Sequence, residues 1–419
     1  MRTLLLVFTL LMAAGAAADD LGALRSQLDT ALKAKDYAAA EVVSGKLLAL
    51  KPGYPRYTYE LAVARAHRGD AQGSIAALDA LAEMGVRIDT DQEPAFAALK
   101  SAPGWDALAT RFAALTQAVG HAAPAFRLDE PDFIPEGIAH DPKSGDFFVG
   151  SVHLRKIVRV HAGKAMQFAG PEAGLWSVLG IEVDAKSGSL WASSSALPET
   201  RDFDEGMKGK TALLRFDLKT GKLLASYAPP DEGDHEFNDV ALGPDGSVYV
   251  ADGSGGVYVL DPGAKALRLL TPRGALTSAQ GMAVSPDGKR LYLSDYTGGL
   301  YAYSFKDRSL TPLTAAHGIY TYYVDGLAFH GRDLIATQNA AEPQRLVCFR
   351  LDDSGLKVWG VQVLSAADPQ APEPTLFTLA DDAAYLVANA QWSRFDEKGK
   401  LPPDDQLQAP LILKVALPH

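Results

Sequence analysis

Two hydrophobic periodicities divide the chain. From Leu21 to about Gln117, apolar residues recur at helical spacing, as at Leu24, Leu28, Ala31 and Leu32, which predicts amphipathic helices. Within this stretch the pattern repeats with an offset of 34: Asp36-Tyr37 returns as Asp70-Ala71, Ala40 as Ser74, and Leu47 as Leu81. That is the tetratricopeptide period, and small residues at Ala40 and Ser74 let two helices approach closely. About one and a half units are visible, fewer than such arrays need on their own, so this segment is expected to lean on a neighbouring domain or a protein partner. A packed structural appendage is the alternative.

After Gly120 the period changes. Short runs of alternating apolar, β-branched and aromatic residues are separated by Gly, Asp and Asn, which predicts strands and hairpins. The clearest copies are NDVALGPDGSVYVADGSGGVYVLD from Asn238 and QGMAVSPDGKRLYLSDYTGGLYAYS from Gln280. Their PDG turns supply the positive-φ position of a tight hairpin. Aligning all copies places one leading position at Glu136, Leu179, Asn238, Gln280, Asp325 and Thr375, with spacings of 43, 59, 42, 45 and 50. Four strands at periods of about 40–50 residues predict a β-propeller, here of six blades. The last copy has only three strands (376–380, 384–389 and 411–417). Residues 125–128, AFRL, are therefore expected to supply its outer strand and close the ring. The expected organisation is a leader (1–18), a helical repeat domain (19–118) and a mainly β, six-bladed propeller (125–419).

This topology gathers chemistry at one end of the channel. The leading positions open the innermost strands. The second strands return to the same end at Ser151 to His153, Ser194, Asp252, Asp295, Asn339 and Asn389. Four leading residues carry oxygen ligands: Glu136, Asn238, Gln280 and Asp325. Such a set favours Ca²⁺, and less strongly Mg²⁺ or Mn²⁺, over zinc. Two carboxylates at a channel without a cation are costly, which argues for a metal. The bland alternative is strand capping by solvated acids.

The stretches PEGIAHD at Glu136, FNDVALGPDG at Asn238, the strand pair after Gln280 and VDGLAF at Asp325 look like the senescence-marker-protein/gluconolactonase family of six-bladed propellers. Paraoxonases and diisopropylfluorophosphatase are more distantly similar. The resemblance covers about residues 125–417. It implies a channel divalent metal, commonly Ca²⁺, held here by Glu136, Asn238 and Asp325, and hydrolysis of lactones or phosphotriesters. The family asparagine of blade four stands as Gln280, one methylene longer, and the helical leader is outside the family core. A channel metal acts as a Lewis acid on a carbonyl or phosphoryl oxygen. Asp325 is then both ligand and proton acceptor, Asp239 orients the ligands, and His153 at the channel mouth is a candidate acid or base. His235 and His317 have weaker claims on the same face. Connections 196–210 and 391–410 are candidate binding loops, with Trp176, Tyr320, Tyr322, Tyr323 and Trp392 as candidate aromatic surface. The competing function is a non-catalytic propeller that binds a ligand or protein.

Composition narrows the setting. A formal charge of −11 without a long basic run gives no nucleic-acid footprint. The opening MRTLLLVFTLLMAAGAAADD has a positive start, a short apolar run and small residues at 16–18, the pattern of an export signal cleaved after Ala18. The run is shorter than the roughly 20 residues of a spanning helix, so no integral membrane segment is expected in the mature chain. An exported protein, periplasmic or secreted, acting on a small molecule is expected. The single cysteine, Cys348, permits no intrachain disulfide.

Overall fold

The computed structural model describes residues 21–418; the expected leader lies outside them. The chain divides into two units. Residues up to Gln117, with the short segments His317–Tyr320 and Ala341–Pro343, form one. Ala118–Ala316, Thr321–Ala340 and the chain from Gln344 form the other.

The first unit is helical: α1 (21–33), α2 (Tyr37–Leu50), α3 (Pro55–His67), α4 (Ala71–Glu83) and α5 (Trp105–Ala114), with a 3₁₀ turn at Pro94–Ser101 before α5. The 34-residue echo has a physical basis. Asp36 and Asp70 are both N-caps: their carboxylates accept the amides of Ala39 at 3.0 Å and Gly73 at 2.9 Å, satisfying donors that a helix start leaves orphaned. Ala40 and Ser74 are buried, as are Leu47 and Leu81. The Ser74 hydroxyl donates to Ala62 O at 2.8 Å, tying α4 to α3.

The second unit is a six-bladed β-propeller. Blade one comprises Pro135–His140, Phe147–Ser151, Ile157–His161 and Lys164–Ala169; blade two Ser177–Asp184, Ser189–Ser195, Thr211–Asp217 and Leu223–Tyr227. Blade three opens at Phe237–Leu242 and blade four at Ala279–Val284. Blade five, from Val324–His330 to Lys357–Ala366, gains a two-residue fifth strand at Thr314–Ala315. Each inner strand packs on the inner strand of the next blade, and that of blade six (Phe377–Ala380) packs on blade one, so the ring closes. The core lies between blades. Phe148, Ile157, Ile181 and Leu214 fill one seam, and Tyr249, Val257, Met282 and Leu291 fill another.

Ring closure runs through the strand that precedes blade one. Ala122–Arg127 pairs antiparallel with Leu411–Ala416, Ala122 opposite Val415 and Arg127 opposite Leu411. The strand starts three residues earlier than expected. Leu128, just past it, is 2% exposed in the seam between blades six and one, among Phe133, Val149, Val387 and Ile412.

One irregularity repeats around the ring. In blades one to five the pairing of inner and second strands breaks over two residues just after its first pair (in blade two, after its second): Glu136-Gly137, Leu179-Gly180, Asn238-Asp239, Gln280-Gly281 and Asp325-Gly326. A bulge bends the strand and re-aims its side chains. Glycine follows the leading residue because the neighbouring inner strand passes close by. A Cβ on Gly137 would lie 2.2 Å from Leu179 O, and one on Gly281 would lie 2.2 Å from Asp325 O. Blade three alone carries a side chain there, Asp239, whose carboxylate reaches across to the amide of Met282 in blade four at 2.9 Å.

Candidate functional site

All six leading positions line one cavity of about 340 Å³, with Glu236, Asp239, Tyr296, Asn339, Gln344, Glu373 and Trp392 among their neighbours. Five carboxylates line this space and, among the described residues, no Lys, Arg or His does.

Each candidate ligand is oriented by a specific bond. The Asn238 amide nitrogen donates to Ala279 O at 3.2 Å, which leaves Oδ1 as the cavity's acceptor. Asp325 Oδ2 accepts from the Asn339 amide at 2.8 Å, and Asn339 Oδ1 accepts from the Tyr296 hydroxyl at 2.7 Å. Tyr296 thus fixes the Asn339 rotamer, and Asn339 fixes the carboxylate. Glu136 Oε2 accepts from the Trp392 indole N–H at 2.7 Å. Gln280 lines the cavity, and its amide nitrogen donates to Ser278 Oγ at 3.1 Å.

The electrostatics follow from burial without a counter-charge. Glu136 is held well above the usual carboxylate range by burial first and by the Asp325 charge second, with the Trp392 bond pulling the other way. Asp325 is raised by burial, opposed by Asn339. Burial pushes Asp239 up to about 7, against the Met282 and Val240 amides. Two carboxylates that share one space without a basic neighbour both resist ionisation. Among the described residues no three His, Cys, Asp or Glu side chains gather into a metal cage. The donors here are two carboxylates and an amide, a hard oxygen set that fits Ca²⁺.

Other expectations fail. His153 does not line the cavity. Its Nδ1 donates to Glu199 O at 2.7 Å, its ring lies 5.9 Å from that of Phe395, and burial lowers its pKa. The strand count placed its backbone correctly, but the 196–210 connection captures the ring. Asp239 lines the cavity, yet its carboxylate bonds the backbone of blade four rather than a ligand side chain. Of the second-strand ends only Asn339 reaches the cavity. The Asp252 carboxylate accepts the Glu236 and Ser254 amides, and that of Asp295 accepts those of Thr277 and Gly298. Ser194 Oγ accepts from Trp176 N, Ser151 Oγ donates to Phe133 O, and Asn389 Oδ1 accepts from Leu411 N. These side chains turn back because the chain must satisfy its own amides where strands end. His235 is buried against Asp252 at 2.6 Å and His317 is exposed; neither lines the cavity. Tyr320 and Tyr322 are buried, and of the five aromatics proposed for the surface only Trp392 lines the cavity. Sequence reasoning missed Glu236, Tyr296, Gln344 and Glu373. It named Asn339 and Trp392 without seeing what they bond.

Residues 134–337 match the family described as SMP-30/Gluconolactonase/LRE-like region. No curated protein sequence matches the chain. Similar solved structures include a luciferin-regenerating enzyme (14% identity, 72% of this chain and 95% of that chain, TM-score 0.47). Others are a gluconolactonase from Xanthomonas campestris (16%, 72% and 97%, 0.44) and a virginiamycin B lyase from Staphylococcus aureus (12%, 72% and 100%, 0.45). The chain carries a six-bladed β-propeller, and residues 134–337 of it are similar to the SMP-30/gluconolactonase/LRE-like family.

Proposed function

We propose that this protein is an exported hydrolase of a lactone or related ester, working with a divalent cation, Ca²⁺ by its donor chemistry. Glu136, Asn238 and Asp325 would hold the ion. The observation that carries this reading is that the buried Glu136 carboxylate of blade one and the half-buried Asp325 carboxylate of blade five line one cavity with the Asn238 amide, and no basic residue among those described lines it. The family match over residues 134–337 supports the lactone side of it. A cation there supplies Lewis-acid polarisation of the ester carbonyl.

The chain's own groups do the rest. Asn339 takes one lone pair of Asp325 Oδ2 and leaves the other for the ion, so Oδ1 is the oxygen that takes a proton from the attacking water as its oxygen bonds the carbonyl carbon. The ester C–O bond then breaks, and the proton returns to the leaving oxygen. Asp239, fixed to Met282 N, holds the inner strand just past Gln280. Leu179, Leu197 and Leu376 give the cavity apolar wall that excludes bulk water.

Calorimetric titration with Ca²⁺ of the wild type and Asp325→Asn, with a lactone panel before and after chelation, tests the proposal. Identical isotherms would remove the site. Cation binding without turnover of any lactone would make the ion structural and leave a ligand-binding propeller, a reading that the glutamine at 280 favours.

A further inference from the structure

The connection after Gln391 touches two cavity carboxylates, and neither contact takes part in the hydrolysis. Gln391 has a φ of 61°. Its side chain donates to Gln408 O at 2.9 Å and accepts from Gln408 N at 2.7 Å, so one residue clasps both ends of the excursion. Immediately after the clasp, Trp392 donates to Glu136 Oε2. The Ser393 amide and hydroxyl donate to the two oxygens of Glu373, each at 3.0 Å. The indole is placed by packing as well: it lies against Ile134, Val152 and Leu179 with Phe395, whose ring centroid is 6.2 Å away.

Glutamate has three rotatable side-chain bonds, so a carboxylate that must meet an ion is useful only if something removes that freedom. The indole N–H does so for Glu136. It claims Oε2 and leaves Oε1 for the cavity. It is also a donor that carries no charge, so it adds no repulsion to an incoming cation.

We propose that Trp392 is a positioning residue for the cation-binding carboxylate Glu136, and that through it the 391–410 connection is coupled to cation occupancy. This rests on the cation reading of the cavity. A residue that orients a ligand in this way is worth about 10–100-fold in metal affinity.

The test uses the full chain and the metal alone. Ca²⁺ is titrated by calorimetry, and Tb³⁺ by its emission excited through tryptophan. The wild type is compared with Trp392→Phe, with Trp359→Phe as a control at an exposed indole, and with protein carrying benzothienylalanine at position 392. That analogue keeps the indole shape and puts sulfur where the N–H was. The expected result is Ca²⁺ binding weakened about 10–100-fold in both position-392 proteins, with the thermal unfolding of the cation-free benzothienylalanine protein unchanged. Sensitised Tb³⁺ emission should persist in Trp359→Phe and largely vanish in Trp392→Phe. Wild-type affinity in the benzothienylalanine protein would overturn the inference while leaving the cation site standing. No cation binding by the wild type would remove the site and the inference together.

Discussion

Replacing Glu182 by glutamine should stabilise the cation-free protein, and the gain should grow with pH. Glu182 lies on the inner strand of blade two, Ser177–Asp184, and lines a second cavity of about 330 Å³ together with Asp239. Burial first, and the Asp239 carboxylate second, push it up to about 8 from an ordinary 4.5. Between those values the folded chain holds a proton that the unfolded chain has released. The contribution of Glu182 to stability is therefore full below about pH 4.5 and is lost as pH rises through about 8. At 1.36 kcal/mol per tenfold, the whole displacement corresponds to roughly 5 kcal/mol. Glu182 faces a cavity rather than close-packed atoms, and water in that space screens its charge. We therefore expect about 2 kcal/mol, which for a unit of this size displaces the unfolding midpoint by about 3 °C. Thermal unfolding followed by circular dichroism at pH 5 and pH 9 measures it. At pH 9 the variant should melt higher by about that interval, and at pH 5, where the folded glutamate is still neutral and little of the displacement has been lost, the difference should be small. The same difference at both pH values, or none at either, would refute the reasoning.

Glu136→Gln and Asp325→Asn should each abolish tight Ca²⁺ binding in calorimetry, because each leaves one carboxylate in the site, while Gln280→Asn should keep it. Asn339→Leu should lower lactone turnover about 10–100-fold with little change in melting, since it frees the Asp325 carboxylate without opening the core; unchanged turnover would remove the Tyr296–Asn339 relay. Leu128→Ala should cost about 2–5 kcal/mol in denaturant titration, because the side chain fills the seam where the ring closes. Mass spectrometry of the exported protein should find a chain beginning near Asp19.

The ring was legible because a blade is a local unit. Its turns, alternation and leading residue lie within one period, so aligning copies placed six inner strands and the six side chains that share the cavity. Asp36 and Asp70 were legible for the same reason: a cap acts three residues from itself. What failed is what depends on where a connection travels. His153, Asp252 and Asp295 stand at the ends expected of them, but the direction of a side chain at a strand end is decided by the nearest unpaired backbone group. Trp392 reaches Glu136 from the far end of the propeller sequence, and no local pattern reports that bond. Asp239 breaks the glycine rule of the other bulges, and that departure was the available signal that it does a separate job.

The pairing of Ala122–Arg127 with Leu411–Ala416 also sets a timetable. The first strand of the propeller leaves the ribosome long before the strand it pairs with has been made, and blade one cannot be sealed against blade six until Leu411–Ala416 arrives. Throughout synthesis, therefore, the nascent chain carries an open edge at each end of a growing arc. Such edges are where foreign strands add, and joining them closes a loop almost as long as the propeller itself, a slow, non-local event. A ribosome that stalls or terminates before Leu411 releases an arc that cannot close, with Ala122–Arg127 left without its partner strand. Completion of this fold thus depends on one late strand, since only a chain translated past Ala416 can pair Ala122–Arg127 and seal blade six against blade one.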